Sequence, residues 1–220
     1  LNWLKRNPLL VPLLALAVVM GDAQAAVLID DFTMAQSVLN GTTGPVAVTG
    51  TQLNNLTRTI TANASPDDAE TEVRIKNGFL NILNDSDSTG TASIFYSFDA
   101  INLTSMADGF LFNIDFIDLS SEIELIANGT SVFGFANLGG HSLYEIGFAQ
   151  FSSPDAFNNL TSLRLNVRGA QSWDARFGPL TAASNSVPEP STLFLLTLGL
   201  AALGRSRFCR VVMNAAKLAD

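Results

Sequence analysis

The chain has 220 residues, with 20 acidic against 12 basic side chains and a net charge of −8 at neutral pH. Between positions 26 and 186 the imbalance is steeper, 17 acidic against six basic for a net of −11, which repels phosphate backbones and argues against nucleic-acid binding. The one cysteine, Cys209, lies near the C-terminal end, so the body of the chain holds no disulfide and depends on packing.

In chain order, Leu1-Asn2-Trp3-Leu4-Lys5-Arg6 is a short basic start and residues 9–20 are an apolar run. Ala23-Gln24-Ala25 then offers a small-x-small cleavage site ahead of Ala26. Residues 1–25 therefore read as a secretory signal peptide, handled by the Sec export machinery and cut by signal peptidase.

The next stretch is rich in Thr, Ser, Asn, Gly and Phe, and its apolar and polar residues alternate in short bursts. That period of two predicts half-buried strands at 27–32, 46–49, 56–61, 71–75, 79–83, 92–98, 109–116, 122–127, 131–137, 144–151, 162–167 and 176–180. Asn40-Gly41, Asn77-Gly78, Ser88-Thr89-Gly90, Asp108-Gly109, Asn128-Gly129 and Gly139-Gly140 supply turns between them. One helical turn is expected at Ser153-Pro154-Asp155-Ala156-Phe157, with Pro154 at its first position. So many short strands without helical crossovers predict an all-β, antiparallel two-sheet sandwich of jelly-roll type over 26–181, with a small-residue linker at 182–186.

Val187-Pro188-Glu189-Pro190 follows, extended because each proline fixes its own φ and pushes its predecessor away from helix. Residues 192–203 are uncharged and Leu-rich, and Arg205, Arg207 and Arg210 form a basic stop. Twelve residues make only about 18 Å of helix, less than a bilayer's hydrocarbon core, unless the arginines snorkel and the weaker apolar run at 208–213 adds length.

In these residues the chain resembles the PEP-CTERM sorting signals of Gram-negative, biofilm-forming bacteria, over 187–211. The resemblance implies a transmembrane sorting helix, an inner-membrane anchor before processing, cleavage near the motif by an exosortase, and delivery to the cell surface or extracellular matrix. Residues 212–220 continue past the point where that family ordinarily ends. The body of the chain is also similar to a recurrent type of PEP-CTERM protein in three short motifs. These are Asp30-Asp31-Phe32, Leu56-Thr57-Arg58-Thr59-Ile60 and Trp173-Asp174-Ala175-Arg176-Phe177. That likeness implies a secreted sandwich and names no activity.

The chemistry is sparse. A lone histidine, His141, beside Ser142 lacks the spacing of a nucleophile and its base, and there is no Gly-x-Ser-x-Gly elbow, so no enzyme is expected. One histidine and no cysteine in the body disfavour zinc, whereas carboxylate oxygens suit calcium. Asn84-Asp85-Ser86-Asp87-Ser88-Thr89-Gly90 has Asp-x-Asp spacing, but Tyr96 stands where an EF-hand needs Glu, so a polar hairpin turn is the simpler reading. The calcium candidates are Asp30, Asp31 and Asp174, which meet if the first and last strands are neighbours. Trp173 is the candidate for stacking on a sugar ring, against the plainer alternative of a core residue. The sequence thus points to a sorted surface or matrix protein, structural or adhesive in exopolysaccharide. The alternatives are a calcium-stabilised, lectin-like module or, less favoured, a glycan-active enzyme.

Overall fold

The computed structural model describes residues 26–139 and 142–184, all within one compact unit, Gln24–Asn185. The other unit, Leu1–Ala23 with Ser186–Asp220, lies outside the described residues, as do the signal peptide expected over 1–25, the sorting signal and His141. Among the described residues no helix is long and apolar enough to cross a membrane.

Among the described residues, thirteen strands form two antiparallel sheets. They are β1 (Val27–Asp30), β2 (Gln36–Leu39), β3 (Gly41–Ala47), β4 (Thr57–Asn63), β5 (Thr71–Lys76), β6 (Phe79–Asn84) and β7 (Thr91–Ile101). There follow β8 (Gly109–Ile117), β9 (Ser121–Ala127), β10 (Ser131–Asn137), β11 (Leu143–Gly147), β12 (Leu160–Gly169) and β13 (Ala175–Ala183). The seven-stranded sheet runs β11-β8-β13-β6-β5-β2, with β1 also on β13; the six-stranded sheet runs β10-β9-β12-β7-β4-β3. From β7 onward the chain passes repeatedly from one sheet to the other, which makes the sandwich jelly-roll-like.

Alternation explains most of this. On β12, Leu163, Leu165 and Val167 are buried while Arg164 and Arg168 face solvent, and on β9 Ile123, Leu125 and Ala127 are buried. The Asn-Gly turns at 77–78 and 128–129 hold positive φ at both residues, the geometry a two-residue hairpin needs.

Three departures have local causes. The segment expected as a strand over 144–151 leaves the sheet after Gly147 and becomes a 3-10 turn, Phe148–Gln150. A strand would send Phe148 and Phe151 to opposite faces; the three-residue period of a 3-10 turn brings both into the core, against Phe110 and Phe157. The expected helical turn is likewise 3-10, Pro154–Asn159, with Pro154 first. Finally β13 runs to Ala183, so Ala182, read from the sequence as linker, is a fully buried sheet residue paired with Val27 and Phe110.

β2 has no counterpart among the expected strands, because its inward residue is the polar Gln36. β3 begins five residues earlier than expected, since Gly41, Gly44 and Pro45 mask it; Pro45 is tolerated because β3 is an edge strand with a bulge there.

Candidate functional site

The first calcium candidate is already occupied by protein. Asp30 on β1 and Arg58 on β4 are both fully buried and meet at 2.5 Å, bridging the two sheets. Arg58 spends its other donors on Gln36 Oε1 (2.9 Å) and the Met34 carbonyl (2.6 Å). Asp30 accepts from the Tyr96 hydroxyl at 3.1 Å and the Phe32 N–H at 2.9 Å. Burial first, and then the Asp30 charge, push the Tyr96 phenol well above its usual value. Every polar group in this cluster is satisfied, which is the condition for an ion pair to sit in a core.

Asp31 turns outward and caps its own loop, accepting from the Thr33 N–H and hydroxyl. Asp174 is elsewhere. β1 and β13 are neighbours as expected, but Asp30 pairs with Leu180, six residues from Asp174 and so roughly 20 Å along the strand. Asp174 accepts the Asn84 N–H at 2.8 Å, and its own N–H is held by Asp118. The three carboxylates are therefore not brought together, and among the described residues no group of three or more acidic, His or Cys side chains could hold a metal. The chelation expected of Asp30, Asp31 and Asp174 is corrected on that ground.

Trp173 is corrected too. It is fully buried, its indole N–H donates to the Gly90 carbonyl at 2.9 Å, and no ring face is left for a sugar. The Asn84–Gly90 loop holds it there: Asn84 donates its amide to the Trp173 carbonyl, and the Ser86 carbonyl accepts from Gln171 and Ser172. Its polar atoms serve a structural turn.

What the fold does assemble is the solvent face of the six-stranded sheet. Pairing of β4, β7, β12 and β9 sets Asn63, Thr91, Arg168 and Glu122 in one row. Thr61, Ser93, Asn166 and Glu124 form the next, and Thr59, Phe95, Arg164 and Ile126 a third. A trough of about 390 Å³ runs over these rows, closed on the β10 side by the exposed Phe135. Arg168 lies 3.6 Å from the Phe135 ring centre and pairs with Glu122 at 2.7 Å. Asn166 donates to Glu124 at 2.7 Å, and Arg164 sits 5.1 Å over Phe95. Hydroxyls, amides and guanidinium groups beside apolar ring surface can hydrogen-bond a ligand rich in hydroxyls and pack against its C–H faces. The sequence hinted at this only through the outward alternation of Arg164, Asn166 and Arg168; which strands flank β12 was not legible.

The tail carries the decisive sequence finding: the family model for the PEP-CTERM protein-sorting motif matches residues 186–207. The chain carries a PEP-CTERM sorting motif. No curated protein sequence matches the chain. Among solved structures, a family 11 carbohydrate-binding module from Clostridium thermocellum, in complex with a β-1,3-1,4-mixed-linked tetrasaccharide, is 14% identical at a TM-score of 0.38, covering 74% of this chain and 98% of that one. The family 11 module of the cellulosomal cellulase Lic26A-Cel5E of Clostridium thermocellum is 13% identical at a TM-score of 0.37, covering 76% and 99%. CBM86, a low-affinity xylan-binding module from Roseburia intestinalis, is 11% identical at 0.33, covering 56% and 93%. Likeness at this level carries no ligand across. The PEP-CTERM motif implies export, membrane-anchored sorting and processing by an exosortase.

Proposed function

We infer that this is a non-enzymic surface or extracellular-matrix protein whose sandwich is delivered by its PEP-CTERM motif and acts structurally or adhesively in exopolysaccharide. The observation that carries the reading is the motif match at 186–207. In this scheme the signal peptide is cut at Ala25–Ala26 and Val187-Pro188-Glu189-Pro190 is presented to the exosortase. The segment 192–203 holds the chain in the inner membrane against Arg205, Arg207 and Arg210, and the sandwich is then released or attached outside. Changing Glu189→Ala together with Pro190→Ala leaves the tail uncut. Intact-mass analysis of protein from the producing cells reads this directly, and a mature C-terminus identical to wild type would sink the reading.

One observation favours a second, compatible role as a glycan-binding module: the trough on the six-stranded sheet, where Arg164, Asn166 and the exposed Phe135 face solvent together. Its affinity would come from hydrogen bonds to sugar hydroxyls and from ring surface, with no requirement for calcium.

A further inference from the structure

The opposite sheet carries a recess of a different character. It is a shallow, open recess of about 350 Å³ on the outer face of the seven-stranded sheet, lined by Arg74, Lys76, Asn77, Phe79, Asn81 and Arg176. Strand pairing builds it. Lys76 faces Phe79 across the β5–β6 hairpin, and Asn81 on β6 stands between Arg74 on β5 and Arg176 on β13. Arg58 is buried, so five bases of the sandwich reach solvent, and three of the five open into this one recess.

Their charges are only partly used. Arg176 donates its Nε–H to one Asp115 oxygen and ion-pairs with the same oxygen through Nη2, while Nη1 makes no hydrogen bond among the described residues. Glu72 approaches Arg74 no closer than 3.5 Å, and an exposed pair of that kind contributes little. Lys76 has no hydrogen-bond or ion-pair partner among the described residues. Phe79 supplies apolar surface to the recess, its ring centre 5.1 Å from the Arg176 guanidinium.

We propose that this recess binds the carboxylate-bearing sugar residues (uronates) of an acidic polysaccharide. A guanidinium fork matches a carboxylate in shape and charge, and a lysine adds a mobile point charge. The amides of Asn77 and Asn81 suit ring hydroxyls, and Phe79 suits the C–H face of a pyranose. A neutral sugar would give three cations nothing to pair with. The domain's net negative charge does not forbid the contact, because at physiological ionic strength the field of carboxylates elsewhere on the surface decays within about 8 Å. The recess stands apart from the trough on the other sheet, so either site can fail without the other.

The test uses the full-length chain in a non-ionic detergent, titrated by calorimetry with polygalacturonate, its methyl ester and poly-L-glutamate. Polygalacturonate binds, and the methyl ester and poly-L-glutamate bind about tenfold more weakly or worse, as loss of charge-assisted contacts or of sugar contacts requires. Arg74→Gln with Lys76→Gln weakens polygalacturonate binding about tenfold at an unchanged melting temperature. Should the double variant fold poorly, Lys76→Glu at its exposed position gives the same loss. The proposal is overturned by no binding to polygalacturonate, by equal affinity for the methyl ester or poly-L-glutamate, or by wild-type affinity in the folded variants.

Discussion

Arg58 is the residue on which the interior turns. It points inward from β4 at a position where the neighbouring inward residues are Ile60 and Ala62, and it is tolerated because Asp30, Gln36 and the Met34 carbonyl meet its donors. Replacing it with Ala strands the Asp30 carboxylate in the core and should cost about 3–5 kcal/mol, read from the urea midpoint. Asp30→Asn with Arg58→Met, which removes both charges, should recover much of that loss. Tyr96 adds a pH signature. Its pKa lies above the ordinary value near 10, so below pH 10 folded and unfolded chains are both protonated and the stability is intact. Above about pH 10 the unfolded chain releases the phenolic proton while the folded chain keeps it, and stability falls as pH rises. Tyr96→Phe should remove that alkaline slope and cost about 1 kcal/mol at pH 7 through the lost bond to Asp30. The Asp30-Asp31-Phe32 and Arg58 motifs thus have a physical explanation. Asp30 pairs with Arg58, Asp31 caps Thr33, and Phe32 is buried at a φ of 56° that the Asp30 bond to its N–H supports.

Among the elements, the junction of the β6–β7 loop with the turn before β13 leaves no room for a side chain at Gly90. A Cβ on Gly90 would lie 1.8 Å from the Thr71 hydroxyl oxygen, and the Gly90 carbonyl is the acceptor for the Trp173 indole. Gly90→Ala should therefore cost about 1–3 kcal/mol, and Trp173→Ala about 3–5 kcal/mol, both measured as lost melting temperature. If Trp173→Ala instead kept its stability and lost only glycan affinity, Trp173 would be a ligand platform and not a core residue. The strands themselves were legible wherever inward residues are apolar, as on β9 and β12. They were hidden where an inward residue is polar, as with Gln36 on β2, or where aromatics three apart need a 3-10 turn, as with Phe148 and Phe151.

Across the whole molecule, charge is sorted. Among the described residues, the solvent-facing bases lie on the outer faces of the two sheets, Arg164 and Arg168 on one and Arg74, Lys76 and Arg176 on the other, while most carboxylates sit in loops and at strand ends. The two faces should act independently. Phe135→Ala with Arg164→Ala should weaken binding to the producing organism's exopolysaccharide about tenfold with the melting temperature unchanged, and a calcium chelator should not reproduce the loss. Wild-type affinity in that variant would remove the trough from consideration.

The sequence by itself determined the sorting motif and the class of fold. The Pro-Glu-Pro segment with its arginines and a period of two are both local patterns, readable from neighbours along the chain. Only the tertiary structure decided which side chains meet. Asp30 and Asp174 looked like partners because β1 and β13 are adjacent, yet register sets them roughly 20 Å apart and gives Asp30 to Arg58 instead. Trp173 looked like a platform and is core, and the two solvent faces exist only because distant strands pair. Register and strand order depend on contacts between residues far apart in sequence, and composition and spacing do not encode them locally.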